Sequence, residues 1–411
     1  MLVLIAPLDW GLGHATRCIP LIRALERAGH TVVACAGGAG ARLLRAEFPR
    51  LEVEDIPGYA MTYTKRRALL PLWLLAQLPA FALGSWREGK AARRLARAHG
   101  AGLIIADGRY GFQVAGIPSV FVTHQLAIEP PGPAWLRAVL TPLLRPLNAR
   151  ALRRFDELWI PDFPGALNLS GALGHPPAPL FASVPGAGPR IAYIRPLCRF
   201  RAVDAPWDRR DSEAGAAAPA GKPRPETKAT PHRDIDVLAL ISGPEPQRTL
   251  LEERLRVALS ALPGTKVLVR GVPGGARAFT GGVRAGELTE YDHLPGDRLA
   301  ALLERAKAIV CRSGYTTMME LAGVGARGVL LVPTPGQPEQ ELLAAHARAC
   351  GFAAWRDQDD LSEAEALSAG LAEAQSLTGF AGLHAESGEG DRFTLLGFIA
   401  AQPLLTPAPS P

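Results

Sequence analysis

The 411-residue sequence is poor in cysteine, has no hydrophobic run of membrane-spanning length and carries only a modest net charge of +6. Its five cysteines are scattered, without a CxxC pair or a spacing typical of metal sites, which argues against a disulfide framework or a zinc cluster. The uncharged run 69–84 is shorter than the roughly 20 residues of a membrane span and is interrupted by prolines. The length suits two or three globular domains.

Three further absences narrow the class of protein. The first residues lack the basic segment of a secretory signal peptide, so we expect a cytoplasmic protein. The basic regions show neither interleaved aromatic residues nor a known reader motif, which argues against nucleic acid as a partner. The turn after the first apolar run has Thr16 where a dinucleotide fingerprint needs its third glycine, and no acid follows the second run, which argues against NAD.

Two stretches combine apolar and basic residues. The run 69–84 lies between the basic cluster 65–67 and Arg87, and the stretch 130–155 contains Trp135, several leucines and five arginines but no acid. One interpretation is a surface that contacts anionic lipid, which would place the protein peripherally on the inner face of a membrane. The other interpretation is two core helices with solvated arginines. Both remain open from the sequence.

Apolar, β-rich runs alternate with helical patterns along both halves of the chain. The predicted strands are 2–6, 31–36, 51–55, 103–106, 119–122 and 158–160, followed by 235–241, 266–270, 308–311 and 328–332. Continuous apolar strands that alternate with amphipathic helices are typical of parallel sheets covered on both faces. The sequence therefore predicts an α/β protein with two Rossmann-like domains.

Composition places a boundary between the halves. Residues 205–233 are rich in alanine, proline, glycine and charge and contain no Ile, Leu, Val or Phe, which is typical of a disordered linker or insertion. We therefore expect one domain over 1–204 and a second over 234–411. A last helix is predicted over 391–402 and a loose tail over 403–411.

Candidate catalytic residues follow the first and fourth predicted strands. Gly11 and Gly13 let backbone amides approach a ligand at a helix N-terminus, and His14 stands at the edge of the sheet where open α/β folds bind ligands. His14 could take a proton there, although a core or capping histidine is the alternative. Asp107 ends the fourth strand, and if it meets His14 it should orient the imidazole and raise its basicity. Thr123 and His124 add polar groups to the same edge.

The second half contains three polar segments after strands. Ser242, Gly243 and Arg248 follow its first strand and form a phosphate-binding candidate. Arg312, Ser313 and Gly314 lead into a helix that carries Thr316 and Glu320. We expect Ser313 to cap this helix, whose free amides suit a diphosphate, and Glu320 to reach ribose hydroxyls. The third segment contributes Gly336, Gln337, Glu339 and Gln340, which can hydrogen-bond sugar hydroxyls.

The segments 313–320 and 335–340 together resemble GT-B glycosyltransferases, in particular the MurG-like enzymes of glycosyltransferase family 28. The resemblance covers both halves and implies two Rossmann-like domains that face each other across a cleft. It implies a nucleotide-sugar donor, by its family a UDP-sugar, with Ser313 and Gly314 near the diphosphate, Glu320 on the ribose, and Glu339 and Gln340 on the sugar. The domain 234–411 would then bind the donor.

The same resemblance makes residues 1–204 the acceptor domain. Gly11, Gly13 and His14 match the glycine-rich acceptor-side loop of the family, and Arg17 closes that segment. It implies an inverting hexosyltransferase that needs neither a metal nor another cofactor and acts on an unidentified acceptor, for which a lipid-linked molecule is one candidate. The DxD spelled by residues 234–236 begins a strand rather than ending one, so we do not interpret it as a metal site.

Two other functions stay open. The GxGHxxR form of residues 11–17 also resembles the nucleotide-sugar hydrolase of pseudaminic acid synthesis, in which water attacks instead of an acceptor hydroxyl. Hydrolysis or epimerisation of a nucleotide sugar is therefore the alternative to transfer. A sugar-nucleotide binder without catalysis is the third interpretation.

Overall fold

The computed structural model describes residues 1–56, 70–128, 130, 134–176, 180–181, 188–207, 233–272, 283–285, 287–383 and 393–405. The chain forms two compact units, one from Met1–Ala205 with Thr394–Pro411 and the other from Pro206–Phe393. Most of the predicted insertion, residues 208–232, lies outside the described residues. Each unit is an α/β structure with its own sheet and core.

The first unit is built on seven described strands, all parallel to their neighbours. These are β1 Leu2–Pro7, β2 Thr31–Ala36, β3 Glu52–Asp55, β4 Leu103–Asp107, β5 Ser119–Val122, β6 Glu157–Ile160 and β7 Arg190–Tyr193. The helices between them are α1 Gly13–Arg27, α2 Gly38–Glu47, α3 Leu70–His99 and α4 Ala134–Leu152. The strand order β3-β2-β1-β4-β5-β6-β7 reverses between β1 and β4, and ligands of open α/β sheets bind beside such a reversal.

The register of the first sheet places two chain segments side by side at this reversal. Strands β1 and β4 pair in parallel with Pro7 opposite Asp107, so the loops that follow both strands leave the sheet at the same edge. The sheet is held by apolar strands that are buried on both faces, as a parallel sheet requires. On one face, Phe121 packs between the rings of Tyr110 and Phe155, with ring centroids 4.7 and 4.8 Å away.

The second unit repeats this plan. Its strands are β8 Ile235–Leu240, β9 Lys266–Val269, β10 Val283–Ala285, β11 Leu288–Tyr291, β12 Ala306–Cys311, β13 Val329–Leu331 and β14 Ala354–Trp355. Its helices are α5 Gln247–Ala261, α6 Gly296–Arg305, α7 Tyr315–Gly323, α8 Pro338–Ala349 and α9 Ala364–Ser376. The order is β10-β11-β9-β8-β12-β13-β14, and among the described strands β10 alone runs antiparallel to its neighbour.

The predicted α/β class is confirmed, and all ten predicted strands are present with small differences at their ends. The sequence missed β7, β10, β11 and β14. These strands are short, and β7 is exposed or half-buried along its length while β11 alternates buried and half-buried residues. Such edge and near-edge strands lack the continuous apolar run by which the central strands are identified.

The last helix belongs to the first unit, whereas the sequence grouped it with the second half. This helix, α10 Leu395–Ala400, is followed by a turn of 3-10 helix over Pro403–Leu405. Its Leu396 amide donates to the Val203 carbonyl at 2.9 Å, and the Phe398 ring packs edge-on against Trp159 at 5.2 Å. The chain therefore returns to its starting unit after completing the second.

The described helices include none that is both long and apolar enough to cross a bilayer. The described parts of α3 and α4 nevertheless expose apolar side chains. Leu83 and Trp86 on α3 are 47% and 54% exposed. Val139, Leu143 and Leu147 on α4 are about equally exposed and recur every fourth residue, so they lie on one face of that helix. Both helices also contribute residues to the core of the unit, among them Leu95 of α3 and Leu152 of α4, so both interpretations of these segments stay open.

The contact between α3 and the loop after β4 generates a stability prediction. A Cβ atom at Gly111 would lie 2.0 Å from the Ser85 carbonyl oxygen of α3, so the backbones must separate to accept it. Gly111→Ala should lower the free energy of unfolding by about 1–3 kcal/mol, the usual cost of overpacking. The measurement is denaturant unfolding.

Gly165→Ala is the matched control, since nothing lies within 4 Å of the Cβ it would add. We expect that variant to change stability by no more than about 0.5 kcal/mol. Equal effects of the two substitutions would show that α3 does not pack on Gly111 as described.

Candidate active site

His14 lies in the first turn of α1, at the edge of the first sheet where its strands end. The connection from β1 passes through Gly11, whose φ of +76° is a left-handed conformation that favours glycine, and α1 then begins at Gly13. On the other side, a Cβ at Gly108 would lie 2.9 Å from His14 Cε1. Glycine at 108 is therefore what allows the β4 loop to approach the ring this closely. The His14 side chain keeps 19% exposure.

Asp107 is fully buried at the centre of this edge. His14 Nδ1 lies 3.1 Å from its Oδ2 atom, and Arg17 Nε donates to both carboxylate oxygens at 2.9 Å. Arg17 Nη2 donates to Oδ1 as well, and Arg17 Nη1 lies 3.3 Å from His124 Nδ1. The structure therefore brings together four residues that the sequence predicted separately.

Arg17, which the sequence predicted in the acceptor-side loop, lies within α1. It is only 3% exposed and its guanidinium points at Asp107 beneath His14. The α-helical spacing of three residues puts His14 and Arg17 on the same face of α1, so one carboxylate can hold both. Arg17 therefore helps to hold Asp107 and His14 in their relative positions.

The groups around Asp107 keep its carboxylate ionised. Burial raises the pKa of Asp107, but the Arg17 guanidinium and the His14 ring together outweigh it and lower that pKa to about 2. Asp107 is therefore ionised at every physiological pH. Its stabilising effect is complete above its ordinary pKa of 3.8 and is lost as the pH falls towards 2.

Asp107 raises the basicity of His14, as predicted, but other groups lower the pKa of the ring by more. Burial is the largest influence and lowers the pKa of His14 below 6.5, and the Arg17 charge lowers it further. Asp107 acts in the opposite direction without reversing the sign. The sequence identified the carboxylate but could not show that an arginine would share it. The consequence is a neutral imidazole at neutral pH, the form that can accept a proton.

The contacts of Nδ1 decide which ring nitrogen carries the proton. Asp107 Oδ2 can only accept, whereas Arg17 Nη2, 2.9 Å from the same nitrogen, can only donate. Arg17 already donates to both Asp107 oxygens. We therefore assign the proton to Nδ1, donated to Asp107, which leaves Nε2 as the basic nitrogen of His14.

Other polar residues at this edge surround the cluster. Thr123 is buried, and its hydroxyl accepts from the Gln125 amide at 3.0 Å, so it shapes the loop after β5. Cys18 Sγ lies 3.7 Å from Asp107 Oδ2, and burial raises the pKa of this thiol far above its ordinary range, so it is a neutral group beneath the site. All five cysteines are free thiols.

Sequence analysis did not identify two further carboxylates that, like Asp107, lie where a strand ends. Asp9 follows β1 and lies beside Gly38, where a Cβ would be 3.0 Å from its Oδ2 atom, and burial raises the pKa of Asp9. Asp162 follows β6, is fully buried and accepts from the amides of Leu169 and Ser170 at 2.8 Å. Their position directly after a strand was the signal that could have found them.

In the second unit, the predicted diphosphate segment precedes α7. Gly314 is the N-cap of this helix and no side chain caps it, so the prediction that Ser313 caps the helix is wrong. The Ser313 hydroxyl instead donates to the Gln340 carbonyl at 2.7 Å. This bond joins the two segments on which the family resemblance depends. The N-cap of α7 is a glycine, which has no side chain to cap the helix.

Arg312 is almost fully buried and binds backbone carbonyls. Its guanidinium donates to Val332 and Pro333 at 3.1 Å, to Gln247 at 2.8 Å, and to the Gln358 side chain at 2.5 Å. It thereby ties the loops after β8 and β13 to the residues that follow β14. Burial lowers the pKa of Arg312 to about 10, which leaves it charged at neutral pH.

Several of the remaining predicted donor residues hydrogen-bond to neighbouring side chains and loops. Gln340 accepts from the Thr334 amide at 2.9 Å and donates to Gln337 at 2.6 Å, so its side chain holds the 334–340 loop together. Arg248 donates to Glu245 and Glu252 at 2.6 and 2.7 Å, which neutralises the charge predicted for a phosphate.

The other predicted donor residues lie on α7 and α8 and in the turn before α8. Glu339 is half-buried in the first turn of α8, Thr316 is half-buried in the first turn of α7, and Glu320 is 8% exposed further along α7. Gly336 has a φ of +80° and open space where a Cβ would stand.

Gly243 lies between two buried polar atoms. Its Cβ position is 3.6 Å from Thr334 Oγ1 and 3.8 Å from Arg312 Nε, and neither atom has a hydrogen-bond partner among the described residues. Ser242 precedes it directly after β8. The acids of the DxD sequence are ion-paired instead, Asp234 with Arg305 at 2.6 Å and Asp236 with Lys307 at 2.6 Å.

Two Rossmann-like α/β units in one chain, with polar groups at the carboxyl ends of both sheets, define the GT-B fold of glycosyltransferases. No protein-family model matches the sequence, and no curated protein is similar to it. Among solved structures, the chain is similar to the spinosyn rhamnosyltransferase SpnG complexed with thymidine diphosphate, with a TM-score of 0.56 and 18% identity over 97% of this chain and 99% of that one.

Two other solved structures show the range of these likenesses. The calicheamicin glycosyltransferase CalG4 has a TM-score of 0.53 and 15% identity, over 94% of this chain and 96% of its own. MurG of Acinetobacter baumannii has a TM-score of 0.48 and 16% identity, over 93% and 94% of the two chains. At these identities the similarity shows the fold, and the resemblance to family 28 stays a prediction.

Because His14 and Arg17 share the Asp107 carboxylate, substitutions of either partner of His14 should change the pKa of its ring. In the native protein, the His14 ring should titrate below 6.5, because burial and Arg17 disfavour its charged form. Arg17→Gln should raise the pKa of His14, since it removes a neighbouring positive charge. Asp107→Asn should lower it further, since it removes the negative one. The measurement is NMR titration of the histidine Cε1 protons, with His14→Gln to assign the resonance.

His30 is the internal control, because its pKa is lowered by burial and by the chain's amino terminus rather than by Asp107 or Arg17. Shifts of the His14 resonance in the same direction in both variants, or in neither, would contradict the arrangement described.

Proposed function

We propose that this protein transfers a sugar from a nucleotide-sugar donor to an acceptor hydroxyl, with inversion at the anomeric carbon and His14 as general base. The observation that carries the proposal is the buried Asp107 carboxylate that orients a neutral His14 at the reversal of the first sheet. A base is effective when it is unprotonated and oriented at the operating pH, and this geometry supplies both conditions.

The proposed step balances as follows. His14 Nε2 accepts the hydroxyl proton as the acceptor oxygen forms its bond to the anomeric carbon. The bond from that carbon to the donor phosphate breaks, and the nucleoside diphosphate leaves with the electron pair. Asp107 stabilises the imidazolium that forms, and Arg17 keeps Asp107 ionised throughout. Attack from the face opposite the leaving group inverts the anomeric configuration.

The second unit is the proposed donor-binding unit. The start of α7 at Gly314 can receive the diphosphate, because the helix dipole favours negative charge there. In this proposal Ser242, Gly243 and Arg312 border the phosphates, Glu320 binds ribose, and Glu339 contacts the sugar. The bonds of Gln340, Gln337 and Arg248 make them supports of these loops. We propose that the helix dipole, with no bound metal, offsets the leaving charge.

Similarity to other proteins is the sole basis for naming a nucleotide and an acceptor. The resemblance to MurG-like enzymes favours UDP, while the SpnG structures were solved with thymidine diphosphate and with spinosyn aglycone. The common element is a nucleoside diphosphate. A UDP-sugar donor and a hexosyl group are therefore proposals, and both UDP- and TDP-sugars belong in the first screen.

Substitutions in the two units should separate an effect on catalysis from an effect on donor binding. His14→Ala should reduce turnover by roughly 10²–10⁴-fold and leave nucleotide-sugar affinity almost unchanged, because the base does not contact the nucleotide. Glu320→Ala should weaken nucleotide-sugar affinity by about 1–3 kcal/mol, the cost of unpaired ribose hydroxyls. Single-turnover kinetics and calorimetry measure the two effects, and His30→Ala is the control for loss of a histidine.

Normal turnover by His14→Ala would show that the loop after β1 is only a tight turn. Incubation of the wild-type protein with the donor panel, with and without acceptor alcohols, separates transfer from the alternatives. Release of free sugar at a useful rate without an acceptor would favour the hydrolase, a changed sugar still linked to the nucleotide would favour an epimerase, and binding without turnover would favour a non-catalytic binder.

We also propose that the first unit contacts an anionic membrane surface, which suits a lipid-linked acceptor. The support is the apolar face of α4, formed by Val139, Leu143 and Leu147, on a helix that also exposes Arg137 and Arg150. Apolar and basic side chains on one surface helix favour the interface of an anionic bilayer.

Sedimentation with vesicles tests this surface. The protein should bind vesicles of anionic phospholipid at low salt and dissociate at high salt, since ions screen the arginine charges beyond about 8 Å at physiological strength. Replacement of Val139, Leu143 and Leu147 by serine should abolish sedimentation. Val257→Ser is the control, because Val257 is an exposed apolar residue of the second unit. Equal binding of the triple variant would contradict the proposal.

A further inference from the structure

The space beside Gly243 in the second unit borders two buried polar atoms. Thr334 lies in the loop after β13 and Arg312 directly follows β12, and each of these two residues is 1% exposed. Thr334 Oγ1 and Arg312 Nε are 3.6 and 3.8 Å from the position that a Cβ of Gly243 would take, and the described residues offer neither atom a hydrogen-bond partner. Sequence analysis assigned no role to Thr334, and the proposed reaction does not use its hydroxyl.

Arg312 has a single N–H group left after its other hydrogen bonds are assigned. A guanidinium carries five N–H groups, and four of those of Arg312 donate to neutral acceptors, namely Val332, Pro333, Gln247 and Gln358. The fifth, on Nε, borders Gly243. No carboxylate among the described residues pairs with this guanidinium, and burial lowers its pKa only to about 10, so it is charged at neutral pH. A buried charge is costly unless an opposite charge compensates it, so this position favours an anionic ligand.

The Thr334 hydroxyl is the remaining polar group of a residue whose backbone is already bonded. The Thr334 amide donates to Gln340 Oε1 at 2.9 Å, and the Gln337 amide donates to the Thr334 carbonyl at 3.0 Å. These two bonds hold the residue in the 334–340 loop. Buried hydroxyl groups in folded proteins are nearly always hydrogen-bonded to protein, water or ligand. The hydroxyl therefore needs a partner that the described chain does not supply.

The backbone around this space suits the approach of a charged oxygen. Gly243 has a φ of +112°, a conformation that favours glycine, and its missing side chain leaves room beside the two atoms. The loop that carries Arg312 leads into α7, whose dipole favours negative charge at its N-cap Gly314. Two hydrogen-bond donors and a positive potential thus meet in one place.

We propose that Thr334 is a nucleotide-binding residue, and that its hydroxyl and Arg312 Nε donate to oxygens of a phosphate group of a nucleoside diphosphate. The inference rests on the proposed function in assigning the donor to the second unit, and it adds a hydroxyl contact to that site. Phosphate oxygens form charge-assisted hydrogen bonds, which are stronger than those between neutral groups. A water molecule bonded to both atoms is the competing explanation, and it makes the hydroxyl a support of the ligand-free fold instead.

Calorimetry with UDP and with TDP on the full-length protein tests the contact. Thr334→Val removes the hydroxyl and nearly keeps the shape of the side chain, whereas Thr334→Ser keeps the hydroxyl. The valine variant should bind the better-bound nucleotide roughly 10–100-fold more weakly, the usual effect of losing a hydrogen bond to a charged group. The serine variant should bind more tightly than the valine variant. Arg312 is left unchanged, because its four other bonds hold the surrounding loops together.

Two further measurements separate a binding role from a structural one. The melting temperature of ligand-free Thr334→Val should be no lower than that of the wild-type protein, because the hydroxyl has no bond to lose among the described residues. Thr289→Val is the matched control, since it makes the same chemical change in β11, and three strands separate β11 from β13 in the sheet. Nucleotide affinity should be unchanged in that variant.

The inference is overturned if Thr334→Val binds the nucleotide as tightly as the wild-type protein, if valine and serine weaken binding equally, or if Thr289→Val weakens it as much. Unchanged affinity with a lower melting temperature of the ligand-free valine variant would assign the hydroxyl to a structural water. Binding of neither nucleotide by the wild-type protein would overturn the inference together with the proposed donor site. Binding that depends on the Thr334 hydroxyl, without sugar transfer, would support the inference and contradict the proposed transfer.

Discussion

The hydrogen bonds of the buried Asp107 carboxylate to Arg17 and His14 hold together the polar cluster at the edge of the first sheet. A charge without exposure is tolerated only when it is paired, and here Arg17 and His14 both come from the first turns of α1. Their contact requires β1 and β4 to be neighbours in register and requires glycine at 108. This pair of contacts therefore depends on the strand order and on where the helix begins, and it holds the His14 ring against the carboxylate.

The fold and half of the candidate site were predictable from simple regularities of parallel sheets. Apolar runs buried on both faces identified the central strands, and polar residues directly after them identified His14, Asp107 and His124. Both regularities are local, because they follow from which strand positions face the core and which face the edge. Parallel strands then bring residues 93 positions apart in the chain to 3.1 Å.

The parts that could not be predicted depend on the folded surroundings of each side chain. Burial and Arg17 together outweigh the effect of Asp107 on the pKa of His14, and the Gln340 carbonyl accepts from the Ser313 hydroxyl. Each residue type was consistent with the predicted role, and the outcome was set by a side chain or carbonyl whose proximity only the fold reveals. The short strands near the sheet edges were missed for a related reason, because their neighbours rather than their composition make them strands.

The return of α10 to the first unit makes the second unit an insertion within the first. The polypeptide therefore passes between the units twice, near residues 205 and 393, and a single proteolytic cut cannot release either one as an intact chain. During synthesis on the ribosome, the second unit can fold while the first still lacks the segment that packs Phe398 against Trp159. The unit that begins at the amino terminus is thus the last to be completed.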